Sequence, residues 1–161
     1  MSTSVLIVGG GGAGLSAAIA AAKEGANVVL VSKTKAGWNT ATAFSGGIFS
    51  FAGGGVEPQE HFDKTLEVGR FVNERSLVKT LTEHAEEALQ KILSWGVELT
   101  FPRPGKASVR RSSCHTLMGG EGFVAQFRQI AAEENVSFIE SSVVTELLHD
   151  DTRIIGVKAV D

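Results

Sequence analysis

Three glycines near the start of the chain, Gly9, Gly11 and Gly14, have the spacing G-x-G-x-x-G. Between a strand and a helix, this spacing lets the backbone turn tightly and approach a phosphate, because no side chain stands in the way. The unpaired N–H groups of the following helix and the positive end of its dipole favour an anion at the same place. The stretch therefore predicts a site that binds the pyrophosphate of a dinucleotide.

The elements that position this turn are indicated by the residues on either side of it. Residues 5–8 predict a buried parallel strand, and residues 15–23 predict an Ala-rich helix that ends at Gly25. Residues 26–31 predict a second strand, so the β-α-β unit closes within about thirty residues. The predicted fold class is α/β, a Rossmann-like FAD/NAD(P)-binding domain with a parallel sheet.

Composition and charge limit the partners that the chain can have. Its 161 residues are 43% hydrophobic, which is enough for one domain-sized core, and its net charge of −3 disfavours nucleic acid. The single cysteine, Cys114, forms no intramolecular disulfide and is typical of a reducing cytoplasm. Residues 4–22 carry no charge, but the glycines at 9–12 would break a membrane helix. We expect a soluble, cytoplasmic protein without membrane insertion.

Ser32 and Lys33 follow the second predicted strand, at the position that usually carries an acidic residue for the ribose of the cofactor. The Ser32 hydroxyl could accept the same hydrogen bond more weakly, and the Lys33 ammonium could reach a phosphate. This departure counts against a simple NAD dehydrogenase. The alternative is that both are solvated residues at the end of a strand.

Residues 34–56 are too rich in glycine for a helix and too apolar for a solvated linker. They predict a loop that packs against a flat apolar ligand. Thr40, Thr42 and Ser45 would supply hydrogen bonds, and Gly46 with Gly47 would let the backbone lie on a ring system. The alternative is a flexible loop that is ordered only by its neighbours.

The stretch SKTKAGWNTATAFSGGI, residues 32–48, resembles the flavin loop of the succinate dehydrogenase, fumarate reductase and L-aspartate oxidase flavoproteins. In that family a Ser-Lys pair leads into a run that ends in Gly-Gly. The resemblance implies FAD, with its pyrophosphate at the first Gly-rich turn and this loop along the flavin. Thr40 stands where membrane-bound members carry the histidine linked to FAD, which implies non-covalent FAD. The resemblance also implies that the backbone of Val144 touches adenine.

The predicted cofactor-binding residues belong to the first turn, the strand end, the flavin loop and the entrance of a β-meander. They are Gly9, Gly11, Gly12, Ala13, Gly14, Ser32, Lys33, Asn39, Thr40, Ala41, Ser45, Gly46, Gly47 and Val144. We predict no metal site and assign no catalytic residue. The basic groups of residues 102–118 are candidates for contacts with substrate carboxylates or cofactor, unless this segment is a solvated loop. They are Arg103, Lys106, Arg110, Arg111 and His115.

The remaining elements are interpreted as scaffold. Helices are predicted over residues 58–70, 74–94 and 122–135, and strands over 97–101, 136–140, 143–148 and 153–160, the last two beginning the meander. Asn73 is the predicted N-cap of the second of these helices. Its predicted apolar stripe comprises Leu77, Leu81, Ala85, Ala88, Leu89 and Ile92. His61 and His84 are expected on the surface.

The resemblance covers nearly all of this chain but only the first part of a family member. It implies one FAD-binding domain over residues 1–161 that is truncated, without the capping domain and the C-terminal FAD-binding segment. The implied function is the FAD-binding portion of an oxidoreductase that acts on a dicarboxylate-type substrate by hydride transfer at flavin N5. A partner chain could supply the missing half. Two alternatives stay open: a non-catalytic nucleotide-binding or assembly module that needs a partner chain, and an NAD-dependent reductase.

Overall fold

The computed structural model describes residues 4–109 and 119–161. Arg110, Arg111 and His115, which the sequence makes candidates for substrate contacts, lie outside the described residues. In chain order the elements are β1 (Ser4–Val8), α1 (Gly12–Lys23), β2 (Asn27–Val31), α2 (Ala41–Phe44), β3 (Ile48–Ser50), α3 (Pro58–Val68), α4 (Arg75–Ser94), β4 (Leu99–Arg103), β5 (Lys106–Val109), α5 (Gly119–Glu133), β6 (Ser137–Ile139), β7 (Val143–His149) and β8 (Ile154–Val160).

The chain divides into two compact units. The first unit comprises Met1–Gly46 and Leu117–Asp161, and the second unit comprises Gly47–Thr116. The single FAD-binding domain expected over residues 1–161 stays a prediction, because compactness alone does not define a domain.

The first unit is built on a parallel sheet in the order β1-β2-β6. Ile7 of β1 is paired with Leu30 of β2, and Leu30 is paired with Phe138 of β6. Helix α1 packs on β1 and β2 and against α5, and the side chains of Leu15 and Phe127 from these helices are almost fully buried. This parallel α/β arrangement confirms the predicted fold class.

Close packing between α1 and the end of β1 depends on Gly14. A Cβ atom added to Gly14 would overlap the carbonyl oxygen of Gly9. Gly9 itself has φ +108°, a backbone conformation that residues other than glycine rarely adopt. The first glycine of the motif is therefore required by the backbone conformation of the turn, and the third by the protein's own packing.

We expect Gly14→Ala to lower the free energy of unfolding by about 3 kcal/mol, since the overlap involves backbone and no rotamer can relieve it. Urea denaturation followed by far-UV circular dichroism measures the change. Gly11→Ala is the matched control, because a Cβ atom on Gly11 would approach nothing closer than Thr40 Cβ at 3.8 Å. Equal stability of the two variants would contradict the role of Gly14.

The last two strands of the first unit, β7 and β8, form an antiparallel hairpin in which Val143 is paired with Val160. The turn between them is stabilised by the Asp150 carboxylate, which accepts hydrogen bonds from the N–H groups of Thr152 (2.8 Å) and Arg153 (3.0 Å). The bond from the Thr152 N–H is the largest cause that lowers the pKa of Asp150 below its usual value. The predicted pair of meander strands is confirmed, with its bounds shifted by a residue.

The second unit packs α3 and α4 near an antiparallel sheet in the order β3-β5-β4. Its core includes Phe51, Leu89 and Ala107. The N-cap of α4 is Glu74, whose carboxylate accepts from the Ser76 N–H, so the prediction of Asn73 is wrong. The predicted apolar stripe is correct toward the end of α4, where Leu89 is buried and Ala85 and Ile92 pack against the core. It is wrong toward the start, where Leu77 and Leu81 are exposed and Val78 and Thr82 are buried instead.

His61 on α3 is buried, with 5% of its surface exposed, so its predicted surface location is wrong. Its Nδ1 atom has no hydrogen-bond partner in the described part of the chain. Burial, and then the positive charge of Lys106, lower the pKa of His61 below its ordinary value of 6.5. The folded protein therefore favours the neutral imidazole.

The stability that neutral His61 contributes is present above pH 6.5 and is lost as the pH falls toward the lowered pKa of the folded state. We expect the free energy of unfolding to decrease over this interval, because the unfolded chain binds the proton more readily. The free energy of unfolding, measured by denaturation at several pH values in this interval, should change less with pH for His61→Gln than for the unmodified protein. His84→Gln, a replacement on the exposed side of α4, is the control; an equal flattening there would contradict the assignment.

No helix in residues 4–109 or 119–161 has the length and apolar character needed to cross a membrane.

Candidate cofactor-binding site

A groove of about 430 Å³ opens in the first unit where β1 and β2 end. Because the two strands are parallel, their carboxyl ends lie at the same edge of the sheet, where ligands bind in folds of this type. The residues that line the groove are Val8, Gly9, Gly10, Gly11, Val31, Ser32, Lys33, Thr34, Asn39, Thr40, Ala41, Ser142, Val143 and Val144. None of these side chains is acidic.

The floor of the groove is the glycine turn between β1 and α1. The Gly9 N–H donates to the carbonyl oxygen of Val31 (2.8 Å), which fixes the turn against the end of β2. Helix α1 begins after Gly11, its N-cap residue. Within the described residues, the N–H groups of Gly11, Ala13 and Gly14 have no acceptor. The turn thus offers free donors at a helix N-terminus to a negatively charged group.

Gly10 also belongs to this packing, although the sequence motif treats its position as variable. A Cβ atom on Gly10 would lie 2.7 Å from Ser32 Oγ and 2.8 Å from Ala36 Cα. The turn is therefore held from below by two buried residues, Ser32 and Ala36. The run of four adjacent glycines at residues 9–12 is the only sign of this constraint in the sequence.

Ser32 joins three parts of the first unit. Its N–H donates to the carbonyl of Ile139 (2.8 Å), and its carbonyl accepts from the N–H of Ser142 (3.0 Å). The residue is 4% exposed, so it is not a solvated strand end, whereas Lys33 beside it is exposed. The Ser32 hydroxyl borders the groove and makes no hydrogen bond within the part of the chain that is described.

The loop after β2 is held against the start of α1 by two threonine hydroxyls. Thr40 Oγ1 accepts from the Ala43 N–H (3.1 Å) and thereby caps the short helix α2. Thr42 Oγ1 accepts from the Gly12 N–H (3.2 Å), one of the first N–H groups of α1. The sequence predicts an irregular loop here, and the capping geometry explains why a helical turn forms in it.

The structure brings together most of the predicted cofactor-binding residues. Gly9, Gly11, Ser32, Lys33, Asn39, Thr40, Ala41 and Val144 line the groove. Gly12, Ala13 and Gly14 lie in the first turn of α1, and Ser45 and Gly46 follow α2, where the Ser45 carbonyl accepts from the Gly120 N–H (3.0 Å). Gly47 belongs to the second unit. That these residues contact a cofactor stays a prediction.

Of the candidates in the basic segment, Arg103 and Lys106 are the described ones, and neither lines this groove. Arg103 and Lys106 belong to β4 and β5 of the second unit, where the Lys106 ammonium donates to Ser50 Oγ. Sequence reasoning missed the lining residues Val8, Gly10, Val31, Thr34, Ser142 and Val143. Val8, Val31 and Val143 are the last or first residues of strands, which is the signal that could have identified these three.

Glu140 holds the loop after β2 in place through its side chain. Its Oε1 accepts from the Ala36 N–H (2.8 Å) and lies 2.9 Å from Arg128 Nη1. The Arg128 atom is buried without an aligned hydrogen bond, so this contact is an ion pair. The Arg128 guanidinium also lies 4.5 Å from the centre of the Phe138 ring. Since Ala36 supports Gly10, Glu140 holds both the loop and the glycine turn.

We expect Glu140→Ala to lower the free energy of unfolding by about 2 kcal/mol, because it leaves the N–H of a buried residue and a partly buried guanidinium without an acceptor. Chemical denaturation measures the loss. Glu140→Gln keeps an acceptor for the Ala36 N–H and should lose less. If the two variants are equally destabilised, the hydrogen bond to Ala36 is not what holds the loop.

Residues 4–161 match a protein family described as the FAD binding domain. The chain belongs to this family. A fumarate reductase (cytochrome) of Shewanella frigidimarina is 31% identical over 167 residues, which cover 91% of this chain and 28% of that protein. An L-aspartate oxidase of Streptomyces coelicolor is 26% identical, covering 95% of this chain and 28% of the relative. This FAD-binding domain thus spans less than a third of the length of these two relatives.

Solved structures of relatives share its fold. The open conformation of a flavocytochrome c3 fumarate reductase matches with a TM-score of 0.78 at 27% identity, over 98% of this chain and 30% of that one. A 3-ketosteroid dehydrogenase of Rhodococcus jostii RHA1 has a TM-score of 0.76, over 98% of this chain and 42% of that one. Its identity of 21% supports the fold alone.

The residues of the groove fit the cofactor of this family. An added Cβ atom at Gly9 would meet nothing within 4 Å among the described residues, so this side of the turn is open. Free N–H groups at the start of α1 and the exposed Lys33 suit a pyrophosphate, and the lining carries no carboxylate to repel it.

Proposed function

We propose that this chain binds FAD non-covalently and serves as the FAD-binding portion of a flavoprotein oxidoreductase. The observation that carries the proposal is the set of N–H groups at Gly11, Ala13 and Gly14 that have no acceptor among the described residues. They lie at the start of α1, beside a groove that Gly11 lines and that has no acidic lining residue. In the proposed complex these groups bind the pyrophosphate, the Ser32 hydroxyl accepts from the ribose, and the backbone of Val144 contacts adenine.

The flavin loop completes the proposed site. Asn39, Thr40 and Ala41 line the groove, and we propose that Ser45, Gly46 and Gly47 continue along the flavin. Thr40 provides no imidazole for a covalent bond to the cofactor, and no histidine lines the groove as described. Non-covalent binding follows from that chemistry, because a threonine hydroxyl already engaged as a helix cap is a poor nucleophile.

The proposed reaction is hydride transfer with a dicarboxylate-type substrate, in which N5 of bound FAD would accept or donate the hydride. Fumarate reductases and L-aspartate oxidases among the relatives support this substrate class. Because the chain spans 28% of such relatives, we propose that residues beyond this stretch, in the same or a partner chain, handle the substrate. The part of this chain is to bind and orient the cofactor. A cytoplasmic location, favoured by the single cysteine, belongs to the same proposal.

The visible spectrum of the purified protein before and after denaturation tests cofactor binding. Bound flavin that denaturation releases is the expected result. Covalently retained flavin would contradict the non-covalent mode. A colourless protein that NADH stabilises and FAD does not would overturn the proposal in favour of an NAD-dependent reductase, and a response to neither would favour an assembly module.

We expect Gly11→Val to reduce FAD retention at least tenfold, since the new side chain would occupy the approach to the pyrophosphate. The protein itself has room for the first added carbon, whose nearest neighbour would be Thr40 Cβ at 3.8 Å. Flavin content per protein and thermal stability without FAD are measured together. Ala17→Val, on the exposed side of α1, is the control. Unchanged flavin content in Gly11→Val would refute the assignment of the turn.

A further inference from the structure

A second cavity, of about 280 Å³, lies in the first unit and shares no lining residue with the cofactor groove. One wall is the loop segment Lys35–Trp38, and the other is a face of α5 that includes Glu121, Val124 and Arg128. Its volume is at the small end of the roughly 300–1,000 Å³ that is usual for small-molecule sites. Nothing in the proposed binding of FAD uses it.

The inner part of this cavity is apolar and firmly packed. Ala36 and Val124 are buried, with 0% and 3% of their surface exposed. Gly37 has φ +90°, and a Cβ atom there would lie 3.3 Å from Val124, so the loop backbone lies directly on the helix. The Trp38 ring is 39% exposed beside this floor. An accessible indole next to an apolar floor offers a stacking surface for a flat ring.

Two cationic side chains, Lys35 and Arg128, line the cavity together with one carboxylate, Glu121, and one amide, Gln129. Lys35 Nζ lies 5.4 Å from the centre of the Trp38 ring and has no carboxylate within ion-pair distance among the residues described. The Arg128 guanidinium is held in place between Phe138 and Glu140, so its orientation is set before any ligand binds. A fixed guanidinium and an ammonium without an ion-pair partner among the described residues, both lining one cavity, suit a single planar carboxylate.

We propose that this cavity binds a small aromatic monocarboxylate, with its ring against Trp38 and its carboxylate toward Lys35 and Arg128. Glu121, on the same wall as Arg128, disfavours a second negative charge on the ligand. The site therefore selects against the dicarboxylates proposed for the reaction, and against FAD because of its size. The proposal does not depend on the proposed function.

Phenylacetate is the probe, and phenylacetamide and succinate are its neutral and ring-free controls. The chain has two tryptophans, so Trp95→Phe leaves Trp38 as the only tryptophan that reports binding. We expect a saturable change in Trp38 fluorescence, a dissociation constant on the order of millimolar, and at least fivefold weaker binding of both controls. Calorimetry on the unmodified protein measures the same constants. No saturable binding of phenylacetate, or equal binding of the amide, overturns the proposal.

Two lysines that are close in sequence provide the matched variants. Lys35→Ala should weaken phenylacetate binding about fivefold, because it removes the ammonium that would pair with the carboxylate of phenylacetate at the rim of the cavity. Lys33→Ala changes a residue of the cofactor groove and should leave the affinity unchanged. Equal weakening by both variants would mean that phenylacetate binds in the cofactor groove. An unchanged affinity in Lys35→Ala would mean that Lys35 does not contact the ligand. Either result refutes the proposal.

Discussion

The contact between the Gly9 carbonyl and the Cα of Gly14 is the constraint on which the first unit depends. There is no space for a Cβ atom between them, so β1 can pass into α1 only with glycine at position 14. This approach brings the start of α1 to the carboxyl ends of β1 and β2, where the groove opens. The same turn is fixed to β2 through the Gly9 N–H and to the loop through the Gly10 carbonyl, which accepts from the Gly37 N–H (2.7 Å).

The sequence patterns predicted those elements whose formation depends on residues that are close together in the sequence. The glycine spacing and the β-branched runs identified β1, α1 and β2 because the strand, turn and helix are contiguous in sequence. They could not reveal that Glu140 accepts from Ala36, since a contact across 104 positions leaves no periodic signal. The burial of His61 was missed for the same reason: a polar residue on an amphipathic helix indicates solvent unless its tertiary neighbours are known.

The site residues divide along a similar line. Gly9, Gly11 and Ser32 were predicted from the spacing that phosphate and ribose recognition requires, and the structure places all three on the groove. Gly10 escaped prediction because its requirement comes from Ser32 and Ala36 beneath it, and not from a ligand. Thr40 was predicted to form a hydrogen bond with a ligand, whereas in the structure its hydroxyl caps α2. A residue type can thus be predicted correctly while its hydrogen-bond partner is not.

A second threonine, Thr42, shows how the N–H donors at the start of α1 are divided between the protein and a possible ligand. A helix leaves its first N–H groups without intrahelical acceptors, and Thr42 takes the one from Gly12. This single bond attaches the loop to the helix, while the N–H groups of Gly11, Ala13 and Gly14 stay available in the same turn. The loop that we propose to lie along the flavin is therefore anchored to the helix that we propose to bind the pyrophosphate. Because the anchor and the free donors lie within one helical turn, a shift of the loop relative to α1 would disturb the anchor and the proposed anion site together.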